Sequence, residues 1–401
     1  MLCTCAIMAS AQESPEKLTD FKDAEPFSLS AQGLDLTFYP AGKDRLEALL
    51  ELIGSARESI RIFSYFFASD AIGELVRERL IEAAGRGVEV QVIVDSFGSQ
   101  PDAEFFAPLV EAGGSYAVFS PRRDVSYLIR NHQKIAIADD TVAIIGGFNI
   151  TRTYFDPPQV NGWNDLGVRV SGDAVKGLVD WYALLAAWTV NPKAQFRAMR
   201  KLVREWEPGE GPVQWLIGGP SRISNSWARR VREDLRSGRR LDLVMAYFSP
   251  SGTIRRLIEK IASHGRTTLV LAGKSDNGAT IGAARSLYRK LMRSGARIYE
   301  FEACKLHTKM LVVDDVSYFG SANFDMRSLR LNLELMLRIE DAALAERLRE
   351  YLATLIAGSI EVTPELHRGR ATWWNRLRWR ASWFLVTVLD YTVTRRLNLG
   401  L

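Results

Sequence analysis

From Leu34 onward, short apolar runs alternate with stretches whose apolar positions recur every three or four residues. The first kind predicts buried strands and the second amphipathic helices. In the first half this gives a strand over 59–67, a helix over 70–86 capped by Ser69 or Asp70, and a strand over 88–96. A helix over 103–112, closed by Gly113-Gly114, and a strand over 115–120 follow. Two further β runs, 131–139 and 142–149, are separated by an acidic turn and predict a hairpin. The second half replays the order: strand 241–248, helix 253–263, strand 267–273, helix 281–294, strand 296–301, and a hairpin from 305–314 and 316–323.

This alternation predicts an α/β fold of two pseudo-symmetric lobes, each a mostly parallel mixed sheet flanked by helices. The expected organisation is a flexible leader over 1–33, a first lobe over 34–205, a linker over 206–212, a second lobe over 213–358 and a tail over 359–401. The linker is marked by Pro208, Gly209, Gly211 and Pro212. Residues 2–11 are apolar and end in Ala9-Ser10-Ala11, but no basic residue precedes them, so a secretory signal is not expected.

The replay extends to chemistry. Of four histidines, two open the same triplet: His132-x-Lys134-x4-Asp139 and His307-x-Lys309-x4-Asp314. Two such coincidences arise by chance on the order of once in ten thousand chains. Each triplet is followed by a small-residue turn ending in an amide, Gly146-Gly147-Phe148-Asn149 and Gly320-Ser321-Ala322-Asn323, and then by a carboxylate, Asp165 or Glu334. On a strand, residues two apart share a face, so each histidine projects beside its lysine, a base beside a cation suited to a phosphate. The same parity turns Asp139 and Asp314 away, which assigns them a structural or orienting role. Asn149 and Asn323 can donate to phosphate oxygens. Asp165 and Glu334 are preferred as the acceptors that fix each imidazole's tautomer, with Asp156 and Asp325 as alternatives.

These residues resemble the phospholipase D superfamily, whose hallmark is a pair of H-x-K-x4-D motifs, one per lobe, meeting at a shared site. Within it the chain is most similar to short bacterial cardiolipin synthases without N-terminal spanning helices, through Gly146-Gly147-x-Asn149, Tyr247-Phe248-x-Pro250, Gly320-Ser321-x-Asn323-x-Asp325, Asn332-x-Glu334 and Thr372-Trp373-Trp374-Asn375. The second half has Ser321 where the first has Gly147, which leaves open whether a hydroxyl assists the first half-site. The resemblance implies the catalytic set His132, Lys134, Asp139, His307, Lys309 and Asp314. It places Asn149, Asp165, Ser321, Asn323 and Glu334 around the substrate phosphate or the histidines. It further implies phosphatidyl transfer through a phosphohistidine, with His132 favoured as nucleophile, no cofactor and no metal. The expected substrate is phosphatidylglycerol, giving cardiolipin and glycerol. Hydrolysis to phosphatidic acid and cleavage of nucleic-acid phosphodiesters are the rival activities.

Composition narrows this further. At 401 residues, 47% hydrophobic and 25% charged, the chain buries a core with ease, and its +5 charge favours anionic partners. Cys3, Cys5 and Cys304 form neither a disulfide framework nor a metal cluster, and Cys304 is expected to be a packing residue. His264 and His367 have no motif around them. Arg122, Arg123 and Arg130 could attract a lipid phosphate, whereas 229–236 reads as a solvated helix face. The tail stands apart: from Arg368 to Leu401 it has seven arginines against one acid, Asp390, and four of the ten tryptophans. Arginine and tryptophan around an apolar stretch at 383–389 suit a helix lying in a membrane interface, or a helix docking its tryptophans on the second lobe. Peripheral association with anionic phospholipid at the bacterial cytoplasmic membrane is therefore expected, with no specific nucleic acid as partner.

Overall fold

The computed structural model describes residues 21–99, 103–120, 129–191, 193, 195–221 and 224–389. The first half comprises β1 (Phe27–Ala31), β2 (Leu34–Tyr39), α1 (Gly42–Ser55), β3 (Ser59–Ser64), α2 (Ala71–Gly85), β4 (Glu89–Asp95), α3 (Ala103–Glu111) and β5 (Ser115–Phe119). It continues with β6 (Lys134–Ala138), β7 (Val142–Gly146), β8 (Trp163–Asn164), β9 (Gly167–Ser171), α4 (Val175–Val190) and α5 (Phe196–Glu205). The second half opens with β10 (Val213–Gly218), α6 (Ser226–Ser237), β11 (Arg240–Met245), β12 (Phe248–Ser249), α7 (Gly252–His264), β13 (Arg266–Ala272) and α8 (Gly278–Arg293). Then come β14 (Arg297–Phe301), β15 (Lys305–Leu306), β16 (Lys309–Val313), β17 (Val316–Gly320), β18 (Phe324–Asp325), α9 (Met326–Arg330) and β19 (Glu334–Glu340). The chain closes with α10 (Ala342–Ala357), β20 (Ser359–Glu361), α11 (Pro364–Arg370) and α12 (Trp373–Trp383). A wider π-helical stretch, Phe384–Leu389, extends α12.

Two eight-stranded sheets result, in the orders β1-β2-β9-β7-β6-β3-β4-β5 and β10-β19-β17-β16-β11-β13-β14-β20. Strand for strand, β2-β9-β7-β6-β3-β4-β5 matches β10-β19-β17-β16-β11-β13-β14, so the pseudo-symmetry of the sequence is a symmetry of topology. The extra strands, β1 and β20, sit on opposite edges. The sheets are mixed but not mostly parallel: parallel pairing is confined to β3-β4-β5 and β11-β13-β14, and the remaining pairs are antiparallel. The cause is the hairpin in each lobe, which inserts β6-β7 and β16-β17 and forces the strand after it to return antiparallel.

One apolar core joins the lobes, with Phe38, Ile135, Val168, Trp181 and Leu185 from the first meeting Met310, Phe319, Leu335 and Leu348 from the second. Phe38 meets Phe319 edge to face at 5.2 Å. Separate cores lie under the outer helices, around Leu49, Leu80 and Val92 in the first lobe and Trp227, Ile258 and Tyr288 in the second.

Two expected boundaries move. Residues 21–33 are not a flexible leader: β1 pairs with β2 through Gln32-Gly33, both at positive φ, and Phe21 and Phe27 are buried. The alternation Phe27-Ser28-Leu29-Ser30-Ala31 was a readable strand signal. Nor does the tail detach at 359, because β20 pairs with β14 and α12 packs along α8. Residues 1–20, Arg122, Arg123 and 390–401 lie outside the described residues. The 206–212 stretch joins α5 to β10 without regular structure.

Candidate active site

The two hairpins put the motif residues at the same end of both sheets. Lys134 opens β6 opposite Ser64, the last residue of β3, and Lys309 opens β16 opposite Met245, the last of β11. The histidines lie two residues earlier, outside the long strands, in segments that reach across to the other lobe. Asn131 bridges to Leu333, and His132 N–H donates to Leu333 O at 2.8 Å. In the mirror position β15 pairs with β8, and His307 N–H donates to Asn164 O at 2.7 Å. Each histidine is therefore delivered next to the carboxylate of the opposite half.

The side chains complete that exchange. His307 Nδ1 is 2.6 Å from Asp165 Oδ2, and His132 Nδ1 is 3.2 Å from Glu334 Oε2. Both carboxylates are fully buried. We assign the Nδ1 proton to each carboxylate bond, which leaves Nε2 as the reactive nitrogen. Lys309 Nζ also lies 2.7 Å from His307 Nδ1, but an ammonium cannot donate to a nitrogen already carrying a proton, so its bond is to the His307 carbonyl. Lys134 Nζ donates to the His132 carbonyl at 2.7 Å.

Burial governs the electrostatics. It lowers both imidazoles well below 6.5, with the neighbouring lysines adding to the effect. Burial likewise pushes Lys134 down to about 7 and Lys309 down to about 8, against the pull of Glu334 and Asp165. For the carboxyls, burial works upward but the facing histidines and lysines outweigh it and hold both below their ordinary range. The resting state is then two neutral imidazoles between two carboxylates and two weakly held ammonium groups, whose formal charges cancel.

Both histidines line a cleft of about 860 Å3 between the lobes, together with Asn149, Asn323, Tyr65, Tyr154, Trp163 and Tyr247. Asn149 and Asn323 are buried, each with an Oδ1 that lacks a partner among the described residues. Ser321 acts on Glu334 rather than on the cleft: its hydroxyl donates to Glu334 Oε2 at 2.5 Å and accepts from Leu335 N–H. Gly147, its counterpart, has no room for a side chain, since a Cβ there would stand 2.7 Å from Asp165 Oδ1. The Gly147/Ser321 difference thus belongs to the two carboxylate environments.

Asp139 and Asp314 do not enter the cleft. They sit at the far ends of β6 and β16, roughly 16 Å along the strand, at positive φ. Asp139 accepts from the backbone N–H groups of Arg57, Glu58 and Ser59, and Asp314 from those of Arg239 and Arg240, so each clamps the entry to its lobe's central strand. Asp156 faces Arg152, and Asp325 caps α9 through Ser328 N–H; neither pairs with a histidine. Arg130 lies over the Phe97 ring at the cleft wall.

Four residues were missed by sequence reasoning. Tyr154 Oη is 3.4 Å from His307 Nε2, and Trp163 packs on the same ring at 5.2 Å. Tyr65 packs on His132 at 4.9 Å. Its signal was the Tyr65-Phe66 pair after β3, which repeats Tyr247-Phe248 after β11. Arg45 is buried and donates to the carbonyls of Tyr154, Trp163 and Asp165. It stands on the apolar stripe of α1 with Leu49, Leu52 and Ile53, where a lone arginine is a recognisable anomaly.

The family model described as cardiolipin synthase, PLD-like domain, matches residues 49–173 and again 232–356. The chain belongs to this PLD-like family. It is a phosphatidyltransferase-type PLD-like enzyme, with one repeat per lobe. Among relatives, the cardiolipin synthase of Listeria monocytogenes serotype 4a (strain HCC23) is 28% identical over 363 residues, covering 86% of this chain and 74% of the relative. Cardiolipin synthase B of Escherichia coli (strain K12) is 28% identical over 354 residues, covering 86% of each. The PLD-like fold is also that of a phosphatidylserine synthase from Haemophilus influenzae Rd KW20, with a TM-score of 0.70 at 14% identity, covering 93% of this chain and 98% of the other. A polyphosphate kinase from Porphyromonas gingivalis matches at a TM-score of 0.54 and 13% identity, covering 80% of this chain and 50% of the other.

Proposed function

We propose that the enzyme transfers a phosphatidyl group from one phosphatidylglycerol to another, giving cardiolipin and glycerol. The observation that carries this reading is a single cleft receiving both motif histidines, each held through Nδ1 by the other lobe's carboxylate. The relatives named cardiolipin synthase, aligned over most of the chain, support the choice of reaction.

In the first step His132 Nε2 bonds to phosphorus as the bond from phosphorus to the departing glycerol oxygen breaks, and protonated His307 gives that oxygen its proton. In the second, the acceptor lipid's hydroxyl gives its proton to His307 and attacks phosphorus, and the phosphorus–nitrogen bond breaks. The order follows the family resemblance, and the greater exposure of His132 supports it, 13% of the side chain against 5% for His307. Lys134, Lys309, Asn149 and Asn323 hold the phosphoryl oxygens. An entering phosphate raises the lysines and His307, so the acid is charged only once substrate is bound. Asp165 and Glu334 fix the tautomers and stabilise each imidazolium.

We place the enzyme peripherally at a membrane: no helix among the described residues is long and apolar enough to cross one, while α12 exposes Trp373 and Trp374. Purified protein with acyl-labelled phosphatidylglycerol tests the reading through its lipid products; phosphatidic acid as the sole lipid product would make it a hydrolase.

A further inference from the structure

Outside the catalytic cleft, a second concavity of about 470 Å3 opens between α8 and α12. Its existence follows from how closely the two helices approach. At Gly282 of α8 a Cβ would lie 2.8 Å from Ser382 Oγ and 3.5 Å from Trp379, so a glycine lets α12 lie flat against the lobe. Trp379 and His367 are buried and stack at 5.5 Å to form the floor, backed by Tyr288.

The walls are cationic. Arg289 and Arg293 come from one face of α8, and Arg376 and Arg380 from one face of α12, each pair four residues apart. Neither pair makes an ion pair with a carboxylate among the described residues. Their neighbours are already engaged: Arg285 and Arg370 share Glu300, and Arg368 holds Glu365. Four arginines around one concavity, none in an ion pair among the described residues, leave positive charge that an anion would offset, and their planar donor forks suit phosphate oxygens. The same helix and its π-helical extension present Trp373, Trp374, Leu377, Phe384 and Leu385 to solvent, each between 48% and 66% exposed. Leu385 and Val386 also line the mouth of the catalytic cleft.

We propose that the α8–α12 groove binds the head-group phosphate of an anionic phospholipid within a bilayer, through Arg289, Arg293, Arg376 and Arg380, while the exposed apolar side chains enter the interface. This is a lipid site separate from the catalytic one, and it turns the mouth of the cleft toward the membrane. Arginine beside exposed tryptophan and leucine favours a bilayer over a soluble polyanion, which offers no apolar layer to receive them. The choice of a lipid phosphate rests on the phospholipid reading of the catalytic cleft.

The test uses full-length protein and two vesicle preparations, phosphatidylcholine alone and phosphatidylcholine with phosphatidylglycerol, read by co-sedimentation. Arg289→Gln with Arg293→Gln removes two groove charges that belong to the lobe rather than the tail. Affinity for phosphatidylglycerol-containing vesicles falls about tenfold or more. The control, Arg229→Gln with Arg236→Gln, removes two exposed arginines of α6 and changes affinity less than about twofold. Both variants turn over dispersed short-chain phosphatidylglycerol at the parental rate. His307→Ala binds vesicles with parental affinity although it is inactive, so binding and turnover are read separately: a failure of the transfer reading leaves the groove measurement intact. The proposal is overturned if the groove variant binds like the parent or if the α6 control loses as much. It is also overturned if the groove retains a short DNA in place of vesicles.

Discussion

The crossed pairing of histidines and carboxylates makes Asp165→Asn the most informative single substitution. The change keeps the side chain's shape, which matters because Gly147 leaves no spare room around it, and, with Oδ1 held by Leu166 N–H, it replaces the charged acceptor facing His307 with an NH2 donor. What is lost is a buried charge-assisted hydrogen bond of 2.6 Å to His307 Nδ1. Bonds of this kind contribute about 1.5–3 kcal/mol, which at 1.4 kcal/mol per decade is roughly a 10- to 150-fold loss of turnover. The damage should be confined to one histidine, because His132 takes its acceptor from Glu334 of the other half. With four histidines in the chain, ring-nitrogen NMR separates them. The expected spectrum shows His307 losing its fixed Nδ1–H tautomer while His132 keeps its own. A rate within twofold of the parent, or a spectrum in which His132 changes and His307 does not, would refute the crossed arrangement.

Gly147→Ala should cost at least tenfold in turnover while leaving the melting temperature within a few degrees, because the new Cβ pushes the Asp165 carboxylate off His307 rather than disturbing the core; unaltered activity would refute the steric argument. His132→Ala and His307→Ala should each abolish turnover, and the double variant should be scarcely slower than either, since residues that act as one unit are not additive; independent, multiplying losses would argue for two sites. The pH profile of kcat/KM follows from the lowered lysines: as pH rises through about 7 and then 8, Lys134 and Lys309 lose the protons that hold the phosphate, so the rate falls. A rate that climbs through that window would contradict the assignment.

How much of this was legible in the sequence depends on the range of the interaction. The duplicated triplets, the Asn149 and Asn323 turns and the following Asp165 and Glu334 are local patterns, and they led to the residues that surround the cleft. The crossing was not legible, because it arises from pairing of Asn131 with Leu333 and of β15 with β8, contacts between segments far apart in the chain. Strand parity gave the right neighbours for a different reason: His132 and His307 stand ahead of their long strands, held by the opposite lobe's backbone, not on the pleat of β6 or β16. The sheet's sense was misjudged because buried antiparallel strands such as β7 and β17 read as continuous apolar runs just as parallel ones do. In the tail, the docking alternative holds for Trp379, which packs on the second lobe, whereas Trp373 and Trp374 are exposed. Helical periodicity alone could not apportion them, since the partner surface, α8 with Gly282, lies some ninety residues earlier.

The measurement that bears most directly on the proposed reaction is the product balance from phosphatidylglycerol labelled separately in its glycerol head group and its acyl chains. The account predicts cardiolipin and free glycerol in equal molar yield, with His132→Ala and His307→Ala forming neither. Glycerol released with phosphatidic acid and without cardiolipin, at every lipid concentration tested, would contradict it.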